Sequence, residues 1–176
     1  MASDEPEVWT VGHSTRSLDA FLALLQAHEI QAVADVRRYP GSRRWPHFAG
    51  PALSASLASQ DIDYLWLPQL GGRRQPLPNS HNTSWRSASF RGYADHMETE
   101  TFATGLQALQ SLIHGQRTAV MCAEALWWRC HRALISDVLY WLGYRVYHIQ
   151  SLTSTEPHPY SSAASIVGGR LSYGPP

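Results

Sequence analysis

The sequence predicts a single α/β domain built on a mostly parallel sheet of about five strands with helices on both faces. Three features of the chain lead there. Five short apolar runs alternate with segments whose apolar residues recur at helical spacing. Each run ends at a cluster of turn or polar residues. The chain has 176 residues and 44% hydrophobic content, enough for one domain with a proper core. Strands alternating with helices select a parallel sheet covered on both faces.

The elements follow in order. Residues 7–11 (EVWTV) form a first strand, ended by Gly12-His13-Ser14. Leu18, Phe21, Leu22 and Leu25 then fall at i, i+3, i+4, i+7 on a helix that Ser17 can cap. Residues 31–36 (QAVADV) are a second strand, broken by Tyr39-Pro40-Gly41 into the loop RRYPGSRRWPHF. Pro51 opens a short helix carrying Leu53 and Leu57. Residues 63–67 (DYLWL) are a third strand running into Pro68-Gln69-Leu70-Gly71-Gly72-Arg73-Arg74, and from there to Phe90 the polar, proline-containing sequence predicts a long exposed loop. A helix starts within 90–96, and Phe102, Leu106, Leu109 and Ile113 mark another that ends near Gly115.

Residues 118–121 form the fourth strand, with Cys122 at its end. Ile135, Val138, Leu139 and Leu142 belong to a helix that begins at Cys130 and stops at Gly143. Residues 145–149 (RVYHI) are the fifth strand. This divides the chain into an α/β domain over 1–150 and a Ser/Thr/Pro-rich tail over 151–176, where Gly168-Gly169 can turn a small hairpin.

No apolar run is long enough to span a bilayer, and the start, MASDEPEVW, is acidic rather than a basic segment followed by an apolar one. The expectation is a cytoplasmic protein with no membrane partner and no disulfide framework, although its two cysteines can form one redox bridge. Composition leaves the oligomeric state open. The net charge is zero, but between Arg37 and Arg91 eight arginines face only Asp61 and Asp63, a local +6 interleaved with Trp45, Trp66 and Trp85. Forked cations alternating with flat rings suit phosphates and stacked bases. The absence of lysine is composition alone; the clustering is not.

In parallel sheets, ligands bind beyond the carboxyl ends of the strands. The residues that follow the five strands are His13 and Ser14; Asp35, Arg37 and Arg38; Gly71 to Arg74; Cys122 and Glu124; and His148. The segment VMCAEALWWRCHRALISDVL carries the chemistry. Cys130 at a helix start, beside Arg129, His131 and Arg132, is placed to hold a thiolate. Cys122 is either a second reactive sulfur or a small core residue. Zinc is disfavoured because the cysteines are eight apart and lack the close ligand spacing, and no metal or other cofactor is expected. A sulfurtransferase-like or phosphatase-like loop after Cys122 has an arginine near its end, but Leu126, Trp127 and Trp128 are bulky for an oxyanion cradle. Asp35 and Glu124 on one rim can divide acid and base roles, as in cleavage of a glycosidic bond, unless Asp35 merely pairs with Arg37 or Arg38.

Cys130-His131-Arg132 resembles the Cys-His-Arg core of the alkylguanine DNA alkyltransferases, with Arg129 where a proline usually stands. Over almost its whole length the chain also resembles domain of unknown function family 488, a bacterial and archaeal family. The matching motifs are VGHSTRSLDAFLALL, DVRRYPGSRR, LPQLGGRR, FRGYADHM, CAEALWWRCHRALISDVL and HPYSSAASIVGGRLSY. That resemblance implies that His13, Ser14, Asp35, Arg37, Cys122, Glu124, Cys130, His131 and Arg132 are family motif positions; Gly168 stands where an acidic residue is expected.

Together these features lead to the expectation of a nucleic-acid-binding enzyme, on DNA rather than RNA, acting on a modified or damaged base. Cys130, Cys122, Glu124, His131 and Asp35 would carry the chemistry. His13, Ser14, Arg37, Arg38, Arg43, Arg44, Arg73, Arg74, Arg132, Trp127 and Trp128 would hold phosphates or bases. The alternatives are a cysteine-dependent enzyme on a small phosphorylated or sulfur-bearing metabolite, and a non-catalytic nucleic-acid binder.

Overall fold

A computed structural model describes residues 5–175. Residues 1–4 and 176, the outer ends of the two expected segments, lie outside the described residues. Five parallel strands form the frame: β1 (Glu7–Gly12), β2 (Ala32–Asp35), β3 (Asp63–Trp66), β4 (Thr118–Cys122) and β5 (Arg145–Ile149). A sixth, β6 (Thr155–Pro157), adds antiparallel to β5, so the order is β3-β2-β4-β1-β5-β6. The sheet thus has one strand more than expected, because the chain after Ile149 turns back along β5.

Alternation along these strands builds two cores. Val8, Ala34, Val120 and Val146 face helices α3 (Ala88–His96), α4 (Glu100–Gly115) and α5 (Arg132–Trp141). Trp9, Val11, Val33, Ala119 and Met121 face α1 (Leu18–Ala27) and α2 (Gly50–Ala58). Ser17 caps α1 by accepting from the Ala20 N–H at 3.1 Å, and Thr99 caps α4 in the same way through Phe102. No helix among the described residues is long and apolar enough to cross a membrane.

Three local expectations need correction. The motif helix does not begin at Cys130, whose backbone is extended (φ −139°, ψ 156°); His131 is the cap and Arg132 the first helical residue. The stretch from Pro68 to Ser87 is irregular but not simply exposed. Asp95 on α3 gathers it by accepting from Leu77 N, Ser80 Oγ and Asn82 Nδ2 at 2.7–2.9 Å, and Asn82 is buried. The chain beyond Gln150 also packs on the domain, through β6 and through Tyr173, which lies in the core. Its glycine pair does turn a hairpin: β7 (Ser165–Val167) and β8 (Arg170–Ser172) are joined through Gly168 and Gly169 at φ +58° and +77°.

β4 lies between β2 and β1, so the loops that leave these three strands meet at one rim. Backbone bonds fasten them there: His13 N–H donates to Cys122 O at 2.9 Å, Ser14 N–H to Ala123 O at 3.0 Å, and Val36 N–H to Met121 O at 3.0 Å.

Candidate active site

Beyond the end of β4 a half-open cavity of about 320 Å³ is lined by both cysteines, Glu124, Arg129 and His131, with Arg37, Arg38 and Tyr39 from the β2 loop and Arg73 from the β3 loop. Phe90 and Ser89, from the start of α3, complete the wall. Segments far apart in sequence therefore converge on two sulfurs.

The sulfurs touch. Cys122 Sγ and Cys130 Sγ are 3.0 Å apart, although eight residues separate them, because the loop 123–129 leaves β4 and returns to it before α5 starts. Their environments differ. Cys122 is 1% exposed, donates to Glu124 O at 3.4 Å, and is pushed well above the ordinary thiol range by burial. Cys130 is drawn down, first by its hydrogen bond with Cys122, then by the Arg132 charge and the Arg132 backbone N–H, which donates to Sγ at 3.3 Å. That N–H is the first of α5, so the positive end of the helix reaches the sulfur. Cys130 is the more acidic thiol of the pair, and burial holds the proton on Cys122.

His131 completes the sulfur's surroundings. Its Nε2 lies 2.8 Å from Val36 O, an acceptor only, so Nε2 carries the proton. The unprotonated Nδ1 then faces Cys130 Sγ at 3.4 Å, where it can accept the thiol proton. Burial lowers the imidazole's pKa and keeps it neutral at rest. Gly72 makes room for the ring, since a Cβ there would sit 2.7 Å from Nδ1.

Several expected site residues are committed inside the fold. Asp35 is fully buried; its carboxylate receives the Arg37 fork at 2.9 and 2.7 Å and the Tyr64 hydroxyl at 2.5 Å, leaving no free oxygen for a general base. The division of labour expected between Asp35 and Glu124 loses its Asp35 half. Arg37 spends its fork on that pair, so it lines the cavity without offering a free clamp. His13 is buried, stacked on Phe48 at 4.3 Å, and held at a pKa of about 4 by burial; it donates from Nδ1 to Ser14 O. Ser14 is bound into the rim by its backbone.

Arg132 is 2% exposed and turns inward, donating to the carbonyls of Glu124 and Ala125 at 3.2 and 3.1 Å, with Nε buried and unpartnered. It ties down the loop and lends charge to the sulfurs rather than meeting a phosphate. Arg74 likewise donates to Gly71 O and Pro68 O. Trp127 is stacked on His148 at 4.5 Å and 6°, and donates to Glu156, so it is not open to a base.

What remains open is Arg73 and Arg129 on the cavity wall, Glu124 exposed beside them, and Arg43 and Arg44 exposed on the loop that contains Gly41; Arg38, half-buried on the same wall, donates from Nη1 to Arg73 O at 2.8 Å. Trp128 is half exposed against the edge of Trp127. The sequence reading missed Tyr39, Ser89 and Phe90 as wall residues, although Tyr39 lies within the DVRRYPGSRR motif and Phe90 opens FRGYADHM.

It also missed a buried chain of hydrogen bonds that joins β1, β5, the tail and α5. Thr10 Oγ1 meets His148 Nδ1 at 2.5 Å, His148 Nε2 meets His158 Nδ1 at 2.8 Å, and His158 Nε2 meets Asp137 Oδ1 at 2.7 Å. Tyr173 donates to the other Asp137 oxygen at 2.7 Å. Among the described residues no cluster of three or more His, Cys, Asp or Glu side chains could hold a metal ion.

The family described as Domain of unknown function DUF488 matches the chain over residues 17–139, a span that includes every residue of the cavity wall. No curated protein and no solved structure matches the chain.

Proposed function

The chain belongs to the family described as Domain of unknown function DUF488, and from its own site we propose that it is a nucleic-acid-binding enzyme in which Cys130 attacks a modified or damaged DNA base. One observation carries this reading: Cys130, the more acidic thiol of the pair, lines a cavity whose wall includes Arg38, Arg73 and Arg129. Arg38, Arg73 and Arg129 are spaced around the mouth to receive backbone phosphates, with Arg43 and Arg44 extending the positive surface. A base turned out of its stack enters the cavity, and exposed Trp128 offers a ring outside it. Cys130 Sγ forms a bond to the electrophilic carbon, the departing group leaves with the electron pair, and the proton that His131 took from the thiol passes to it, with Glu124 beside it on the wall.

Intact-mass measurement after incubation with alkylated oligonucleotides tests the chemistry. We expect the transferred group on wild-type Cys130 and none on Cys130→Ser; an unmodified wild-type protein refutes the thiol reading. Binding to the oligonucleotide should weaken steeply with salt, and Arg38→Ala with Arg73→Ala should lower the slope of log K against log salt by about 1 for each phosphate that the variant no longer holds. Affinity insensitive to salt removes nucleic acid as the substrate.

A further inference from the structure

The second sulfur forms and breaks no bond in the reaction just described. A group attached to Cys130 through carbon is a thioether, which a neighbouring thiol cannot displace. A group attached through sulfur is one that a thiol 3.0 Å away is placed to resolve. A bonded pair of sulfurs lies about 2.05 Å apart, so only a small approach of the two side chains is needed. The two cysteines also divide the roles that such a sequence requires: one sulfur is held by the first N–H of a helix, while the other keeps a proton directed at Glu124 O. Both line the same cavity, with Arg38, Arg73 and Arg129 around it.

We propose that the cavity accepts an anionic sulfane-sulfur donor, a persulfide or thiosulfate, and that Cys130 takes its outer sulfur and Cys122 releases it as sulfide. This rests on Cys130 being the nucleophile and not on nucleic acid being the substrate. In the first step Cys130 Sγ bonds to the sulfane sulfur. The bond from that sulfur to its carrier breaks, and the carrier leaves with the electron pair as a thiolate or sulfite. Cys122 Sγ then attacks Cys130 Sγ, the persulfide bond breaks, and hydrosulfide leaves with that pair and the Cys122 proton. The sulfane sulfur is reduced and the two thiols are oxidised to a disulfide. Two equivalents of a small thiol return the disulfide to the dithiol and are themselves oxidised. An arginine wall distinguishes such donors from peroxide, which carries no charge for the guanidinium groups to hold.

The reduced protein is mixed with inorganic thiosulfate or glutathione persulfide, without nucleic acid, and intact mass and released sulfide are followed. We expect the wild type to release one sulfide per chain and lose about 2 Da as the bridge closes. Cys122→Ser and Cys122→Ala should instead retain about 32 Da, one sulfur, on Cys130, and Cys130→Ser should do neither. The two Cys122 variants guard against a folding defect in one of them. Absence of sulfide with both donors, equal release from Cys130→Ser, or a bridge that closes with peroxide but not with these donors overturns the proposal. Alkyl transfer from an oligonucleotide without sulfide release would defeat this inference and leave the nucleic-acid reading standing; sulfide release with salt-independent oligonucleotide binding would do the reverse.

Discussion

At the scale of the residue, the acidity of Cys130 is a property of its neighbours more than of its position in sequence. The largest contribution is the hydrogen bond with Cys122, ahead of the Arg132 charge and backbone N–H. Cys122→Ala should therefore move the pH midpoint of Cys130 alkylation by iodoacetamide upward, toward that of a free thiol, while Arg129→Ala moves it less. An unmoved midpoint in Cys122→Ala would assign the thiolate to the helix end alone. Asp35 and Arg37 make the other residue-scale prediction. Replacing Asp35 by Asn leaves a guanidinium that is only 7% exposed without its carboxylate. Breaking a buried pair from one side costs about 3–5 kcal/mol, readable as a lower urea midpoint; a loss below about 1 kcal/mol would mean that water reaches Arg37. The sequence offered both fates for Asp35, and a separation of two residues in a strand end could not choose between them.

At the scale of the element, two glycines set how closely the loops approach. Gly12 ends β1 where a Cβ would meet Glu124 O at 1.8 Å, a backbone atom that cannot step aside. Gly12→Ala should exceed the roughly 1–3 kcal/mol typical of overpacking and should part the loop 123–129 from β1. Gly72→Ala is milder because it pushes on a side chain, His131. We expect the protein to fold, with Cys130 alkylation slowed at neutral pH as Nδ1 leaves the sulfur; an unchanged rate would exclude His131 as the proton acceptor. Gly12 directly follows the first predicted strand and Gly72 lies in the loop after the third, but local pattern shows only that a turn is allowed, not which backbone lies against it. The start of α5 teaches the same lesson. Helical spacing located the helix, and only the extended backbone of Cys130 put its sulfur, rather than its N–H, at the helix end.

At the scale of the whole molecule, the tail and the domain are joined by the buried chain of Thr10, His148, His158 and Asp137, closed by Tyr173. Burial holds His148 at about 2 and His13 at about 4, both below the ordinary 6.5 of an unfolded imidazole. The unfolded chain thus binds more protons than the folded one below pH 6.5. The stability these neutral rings contribute is complete above that value and falls as the pH drops from 6.5 toward 4 for His13 and toward 2 for His148. The slope should approach about 1.4 kcal/mol per pH unit for each proton taken up on unfolding. Urea titrations at pH 7, 6 and 5 should show it, and His148→Gln should flatten it; equal slopes in the two proteins would remove His148 from the account. Local pattern was enough to read the alternation of strands and helices, the helix cap at Ser17, and the set of polar residues at strand ends. These depend on periods of two and 3.6 residues that any window of the chain contains. That β4 lies between β2 and β1 emerges only on folding, and with it which of those polar residues face the cavity and which satisfy one another. Strand order is a relation between distant segments. So Asp35 found Tyr64 across the sheet, Arg132 turned to the carbonyls of Glu124 and Ala125, and the sulfurs of Cys122 and Cys130 came to rest against each other.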